Sequence, residues 1–85
     1  MPELSRFLGI VIFMHYRDHA PPHFHAAYGE FEITVDINTG EINGRFPRRA
    51  LLLVLEWYSL HKMELRANWS LAQSKNPLMA IDPLE

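Results

Sequence analysis

The spacing of apolar residues changes near residue 47 from strand-like alternation to helical spacing. This change limits the folds that the chain can adopt. Residues 31–37, FEITVDI, alternate apolar and polar side chains, which is typical of a strand with one buried face. From Pro47 to Gln73 there is no further proline and no glycine, and apolar side chains recur at helical spacing. Because proline suits the first position of a helix, a helix is predicted to begin at Pro47. The sequence therefore predicts strands followed by helix.

Turn-forming residues divide the region before Pro47 into strand-like segments. Residues 9–17, GIVIFMHYR, are rich in β-branched and aromatic side chains, which favours a strand. Residues 18–22 contain Pro-Pro and are predicted to form a loop. Gly29-Glu30 is predicted to be a tight turn, and residues 41–46 a short fourth strand.

These elements predict a two-layer α+β domain. An antiparallel meander of three to four strands in residues 1–46 would pack on a long C-terminal helix in residues 47–74. The helical pattern is also compatible with two helices separated by a bend. Residues 75–85 would form a docking tail.

Composition narrows the class of protein. With 85 residues and 48% hydrophobic residues, the chain can form one modest core and is too apolar to be disordered. Its net charge of -2 argues against coating nucleic acid through bulk positive charge. It has no cysteine, so any metal ligand must be histidine, carboxylate or backbone oxygen. We see neither a signal-peptide cleavage site nor a membrane-spanning stretch, and we expect a cytoplasmic protein without membrane contact.

Four of the five histidines lie within residues 15–25. The predicted turns set a register for the three strands around them, in which residues directly opposite share a face. The polar face of the sheet would pair His23 with Asp36 and Arg17, and His25 with Thr34 and His15. The core face would carry Met14, Tyr16, Phe24, Ala26, Ile33 and Val35.

One chemistry that suits this cluster is binding of a divalent metal. His23 and His25 point to the same side of their strand, and His19 is the third ligand of this interpretation. Asp18 is an alternative third ligand, as are His15 and Asp36 from the polar face. The spacing matches no particular metal motif.

A second chemistry is metal-free acid–base catalysis, in which RNA is cleaved through its own 2′-hydroxyl. Histidine changes charge near physiological pH, so His23 or His25 is a candidate general acid or base, with His15 beside them. Asp36 would orient a ring, and Arg17 would bind phosphate. The third interpretation is a solvated sheet face without chemistry.

Two arginines, Arg48 and Arg49, follow Pro47 in the first predicted helical turn. Cations are unfavourable there because this end of the helix dipole is positive. Since helix N-termini bind anions, both arginines are candidate phosphate-binding residues. The alternative is that they pair with acidic groups of the chain or of a partner.

The predicted helix is apolar around much of its circumference. Its main stripe does not include Leu52, Leu53, Trp57 and Leu60. A single contact between sheet and helix cannot bury all of these side chains. We therefore expect a partner protein or a homodimer to bind the apolar helix and tail surface, with RNA as a further candidate partner.

Several strings of this sequence occur together in a known family. They are Ser5-Arg6-Phe7, the string from Asp18 to Ala26 with its Pro-Pro-His-Phe-His, Asp36 to Glu41, Pro47 to Leu51, Trp69 and Pro77-Leu78. Through them the chain resembles a family of short bacterial proteins known as domain of unknown function number 4160. The resemblance implies a cytosolic component of a two-gene, toxin–antitoxin-type cassette that acts with a partner protein. It implies no reaction and no catalytic residues.

Overall fold

The computed structural model of the chain describes residues 2–85, and Met1 lies outside the described residues. Five strands come first: β1 (Glu3–Phe7), β2 (Ile10–Phe13), β3 (His23–Tyr28), β4 (Phe31–Asp36) and β5 (Ile42–Arg45). Two helices follow, α1 (Arg48–Leu60) and α2 (Lys62–Gln73). The strands form one antiparallel sheet in chain order, so the α+β class is confirmed. Neither helix has the length and apolar character needed to cross a membrane.

Strand β1 is absent from the prediction of three to four strands. Its pairing with β2 shifts between Glu3 and Ser5, so its side chains do not alternate regularly between the two faces. The N–H of Ile81, from the C-terminal segment, donates to the carbonyl oxygen of Leu4 at 2.8 Å. A long-range contact of this kind cannot be inferred from local periodicity.

The helical region consists of two helices rather than one. The break lies at His61, whose φ of -127° and ψ of 25° fall outside the helical region. The His61 ring lies 5.2 Å from the ring of Trp57 and is hydrogen-bonded to Glu64. The break directs α2 toward the loop between β2 and β3, where the N–H of Arg17 donates to the carbonyl oxygen of Ala72 at 3.2 Å.

The strand register around the histidines is partly as predicted. His23 pairs with Asp36 and His25 with Thr34, which confirms the β3–β4 register. The β2–β3 prediction is wrong by two residues, because Phe13 rather than His15 lies opposite His25. The strand ends at Phe13, and residues 14–22 form a longer loop than predicted. A shift of two residues preserves the face of every side chain, so the histidine cluster survives the error.

The core lies between the helices and one face of the sheet. Four of the six predicted core residues belong to β3 and β4 and are fully buried there, as is Met14. Tyr16 is 42% exposed, which corrects its predicted place, because it lies beyond the end of β2. Trp57 is fully buried, although it lies outside the predicted apolar stripe of the helix. Its Nε1 donates to the carbonyl oxygen of Asp82 at 2.9 Å. The C-terminal segment thus covers a side of α1 that a single layer of helix would leave open.

Candidate functional site

Strand β3 places His23 and His25 two residues apart on the sheet face opposite to the core residue Phe24. The side chain of His23 is 11% exposed and that of His25 is 12% exposed. Their ring centroids are 5.2 Å apart. Both imidazoles therefore lie close together in a partly shielded position on a rigid strand.

Asp18, in the loop of residues 14–22, places its carboxylate beside both rings. Its Oδ2 lies 2.9 Å from Nε2 of His23 and 3.4 Å from Nε2 of His25. One ligand-type atom from each of the three residues lies within 4.8 Å of the other two. Nε2 of Gln73, on α2, donates to the backbone carbonyl of Asp18 at 3.1 Å and holds this part of the loop. We call these three residues the Asp18–His23–His25 cluster.

The second nitrogen of each ring also faces an oxygen. Nδ1 of His23 lies 2.8 Å from the carbonyl oxygen of Pro21, and Nδ1 of His25 lies 3.2 Å from Oε2 of Glu32. A carbonyl oxygen can only accept, so Nδ1 of His23 carries a hydrogen and donates it. In a neutral ring Nε2 then has a lone pair, and it faces the carboxylate of Asp18. Two electron-pair donors at this distance require a proton or a metal cation between them.

Asp18 is held in its ionised form. Burial raises the pKa of its carboxyl group, but this effect is outweighed by the backbone N–H of His19 and by the rings of His25 and His23. The net result is a pKa below the ordinary aspartate value. The cluster therefore contains a carboxylate, not a carboxylic acid, at neutral pH.

Aromatic side chains frame the two histidines. The ring of Phe13 stacks on that of His25 at 5.0 Å with an interplanar angle of 13°. The ring of Trp69, on α2, lies 5.2 Å from that of His23. Phe13 is buried although it lies on the histidine face of the sheet. These contacts restrict ring rotation and shield one side of the cluster from water.

The other side of the cluster opens into a cleft of about 340 Å³. Beyond the cluster and Pro21, the cleft is lined by polar side chains, namely His15, His19, Thr34, Asp36, Glu41 and Asn43. Among the described residues, no lysine or arginine lines it. The cleft is therefore rich in carboxylate and imidazole groups and lacks fixed positive charge.

Three predicted residues lie in the cleft but outside the cluster. The His15 ring meets the His25 ring edge-on at 4.5 Å. His19 is 87% exposed, and its Nδ1 lies 3.0 Å from Oδ1 of Asp18 rather than beside the other two Nε2 atoms. Asp36 accepts the N–H groups of Asn38 and Thr39 through Oδ1. It stabilises the β4–β5 turn, and the position next to His23 belongs to Asp18.

The predicted cationic residues are not brought together with the histidines. Arg17 occupies a left-handed backbone conformation with φ of 54° and does not line the cleft. Arg48 and Arg49 are exposed at the start of α1, and Arg49 lines a separate groove with Leu8 and Tyr28. That groove lies at the other end of the sheet, where β1 and β3 end. No single phosphate could bridge the histidines and these arginines.

Glu32 is a site residue that the sequence interpretation missed. It lies on the histidine face, two positions along β4 from Thr34, which pairs directly with His25. This diagonal relationship brings a long side chain within reach of the His25 ring. The predicted β3–β4 register already placed Glu32 diagonally from His25, so this contact could have been predicted from the sequence.

The fold and the cluster define a small α+β protein with two histidines and one carboxylate gathered on the sheet face away from its core. Residues 9–70 match the family described as "Domain of unknown function (DUF4160)", and the chain belongs to this family. No curated protein and no solved structure matches the chain.

Proposed function

We propose that this protein binds a divalent transition metal through Oδ2 of Asp18 and Nε2 of His23 and His25. The observation that carries the proposal is the convergence of these three atoms while both Nδ1 atoms face other oxygens. Without a metal, each close contact of a ring nitrogen with Asp18 needs its own proton. One divalent cation satisfies all three groups at once.

The distances suit a metal centre. With metal–ligand bonds of about 2.1 Å, neighbouring ligand atoms lie ~3.0 Å apart in octahedral and ~3.4 Å apart in tetrahedral coordination. Oδ2 of Asp18 lies 2.9 Å and 3.4 Å from the two Nε2 atoms. Both of these distances match the ligand spacing of a metal site, and the three ligand atoms all lie within 4.8 Å of one another.

The surrounding hydrogen bonds also match those of metal-binding histidines. Such rings usually donate their other nitrogen to a backbone carbonyl or a carboxylate, which fixes the tautomer and the ring orientation. Pro21 supplies the carbonyl for His23, and Glu32 supplies the carboxylate for His25. Both ligand nitrogens are thereby held toward Asp18.

Three protein ligands would leave at least one coordination position free, and the cluster is open to solvent on the side of the cleft. A metal with such a position activates water or polarises a bound carbonyl or phosphoryl oxygen. We propose that any chemistry occurs in this cleft, with Phe13 and Trp69 limiting water on the opposite side of the cluster.

The test is a Co²⁺ titration of untagged protein, followed by visible absorption and by calorimetry. We expect one equivalent to bind and the absorption to report coordination by nitrogen and oxygen. His23→Ala, His25→Ala and Asp18→Ala should each remove stoichiometric binding. His61→Ala is the matched control, since His61 also contacts a carboxylate, that of Glu64. An unchanged titration in the three cluster variants would contradict the proposal, as would absence of binding to the wild type.

Metal-free cleavage of RNA is a second candidate function. The 2.9 Å contact between Asp18 and His23 favours it, because a carboxylate in this position orients an imidazole for proton transfer. The carboxylates of the cleft disfavour an RNA phosphate unless a cation is present, so this proposal ranks second. A labelled RNA incubated in EDTA separates the two. Cleavage that is lost in His23→Ala supports acid–base catalysis, and no cleavage contradicts it.

The action of a toxin–antitoxin-type component with a partner protein, or with a second copy, also stays a proposal. Its support is the exposure of Leu60, Met63 and Met79 on the helix and tail surface, with Met63 at 81%. Light scattering of the purified protein tests the second copy. A dimer that Met63→Glu dissociates supports this surface, and a monomer at all concentrations contradicts self-association.

A further inference from the structure

We propose that the end of the domain remote from the histidine cluster is a docking surface for an acidic, apolar segment of a partner protein. The β1–β2 turn, the β3–β4 turn and the β5–α1 connection all meet at this end, whereas the loop carrying Asp18 lies at the other. Large apolar side chains are exposed here, namely Leu8 (65%), Tyr28 and Phe31. The proposal is independent of metal binding.

Two apolar grooves flank Pro47 at this end. One, of about 560 Å³, lies between β5 and the start of α1 and includes Phe31 and Phe46. The other, of about 420 Å³, includes Leu8 and Tyr28. The rings of Tyr28 and Phe46 are 6.1 Å apart and connect the two grooves. The grooves therefore form one continuous apolar surface.

Two exposed arginines, Arg45 and Arg49, line these grooves, and the exposed Arg48 directly follows Pro47 in the chain. Among residues 2–85, none of them forms an ion pair with a carboxylate. Glu32 lies opposite Arg45 in the sheet, but its Oε2 is directed to His25. Helix α1 also begins without an acidic residue in its first turn and without a side-chain cap. The arginines here thus have no ion-pair partner within the described chain, and the acidic residue of the β3–β4 turn at the same end, Glu30, does not pair with them.

A complementary partner needs carboxylates placed beside apolar side chains. Strand β5 pairs with β4 alone, so its outer edge can hydrogen-bond an extended segment laid along the groove. RNA fits less well, because the chain carries a net charge of -2 and the aromatic rings here lie in grooves that also contain the aliphatic side chains of Leu8, Leu51 and Leu53. The surface therefore selects an acidic, apolar polypeptide.

The test is selection from a displayed library of short random peptides against the full-length protein. We expect enrichment of peptides that combine Asp or Glu with Leu or Phe. The double variant Arg48→Glu/Arg49→Glu should lower the affinity for the selected peptides by about ten-fold or more, because attractive charge pairs become repulsive. Lys75→Glu, an exposed charge reversal elsewhere, should leave their affinity unchanged.

Leu8→Asn tests the apolar part of the surface without placing a polar side chain in the core. Asparagine suits the positive φ of 51° at this position, so the variant should fold and still bind the peptides more weakly. Circular dichroism confirms folding of each variant. The proposal is overturned if no acidic peptides are enriched, or if the arginine and Leu8 variants bind them as the wild type does. Arginine-dependent binding of oligouridine without peptide binding would also overturn it.

Discussion

Nε2 of His23 lies 2.9 Å from Oδ2 of Asp18, although one residue belongs to a strand and the other to a loop held by helix α2. Strand β3 gives the histidines their common direction, and the loop brings the carboxylate to them. The proposed metal site therefore depends on a tertiary contact as well as on the sheet.

Glu32→Gln should weaken metal binding by about ten-fold, because loss of a hydrogen-bonded carboxylate behind a ligating histidine typically costs 10- to 100-fold. We expect the lower end, since the Glu32 side chain is more than half exposed. Calorimetric titration with Zn²⁺ measures the change. Glu30→Gln, in the β3–β4 turn, is the charge-matched control and should bind as the wild type does. Equal affinities in the two variants would exclude a role for Glu32.

Asp18 should make stability depend on acid pH in the metal-free protein. The folded-state pKa of Asp18 lies below the ordinary aspartate pKa, so its ionised form stabilises the folded state. This contribution is fully present above the unfolded-state pKa and is lost as the pH falls through the folded-state pKa. Urea unfolding with chelator present should show wild type more stable than Asp18→Asn at neutral pH, with the difference shrinking below about pH 4. A stability difference between the two proteins that grows as the pH falls would contradict this prediction.

Trp57→Ala should destabilise the domain by about 3–5 kcal/mol, the usual cost of removing a large buried aromatic side chain. The ring lies 5.8 Å from that of Phe7 and 5.7 Å from that of Phe24, and it is fully buried. In so small a domain this loss can abolish folding, so Trp57→Phe provides a milder companion. Both should shift the urea midpoint in the same direction, with Phe intermediate. A midpoint unchanged in both variants would place the ring at the surface.

Asn68→Ala should release the C-terminal segment from α2. The buried Asn68 amide accepts from the N–H of Met79 and donates to its carbonyl oxygen, at 2.7 and 2.9 Å. Leaving these groups unpaired costs about 1–3 kcal/mol. Hydrogen exchange should accelerate at Met79 and Ile81 in particular. Asn76→Ala, at an exposed position, is the control and should leave their exchange rates unchanged.

Ser5→Ala, in contrast, should increase the free energy of unfolding by up to about 1 kcal/mol. The Oγ of Ser5 is buried and has no hydrogen-bond partner among residues 2–85. Alanine removes a desolvated hydroxyl and leaves only a small gap. Thermal unfolding of the two proteins measures the difference. A clear loss of stability would show that the hydroxyl has a partner in solution.

Local patterns predicted much of the fold. The alternation in residues 31–37 and the Gly29-Glu30 turn correctly placed His23 opposite Asp36 and His25 opposite Thr34. Apolar residues at helical spacing correctly indicated a buried helix face, on which Val54 and Leu65 are fully buried. These features depend on interactions between residues close in sequence, and periodicity reports them directly.

The remaining features depend on contacts between distant segments. The burial of Trp57 beneath the C-terminal segment and the length of the β2–β3 loop are both of this kind. Loop length mattered most, because it took Arg17 out of the strand position opposite His23. It also placed Asp18 beside the histidines, in the position assigned to Asp36.

The sequence by itself thus determined the fold class, the face on which the histidines lie and their pairing with β4. Only the tertiary structure decided which carboxylate completes the cluster and where the arginines lie. Strand alternation specifies the direction of a side chain, whereas the meeting of a loop residue with a strand depends on how α2 packs and anchors that loop through Ala72 and Gln73.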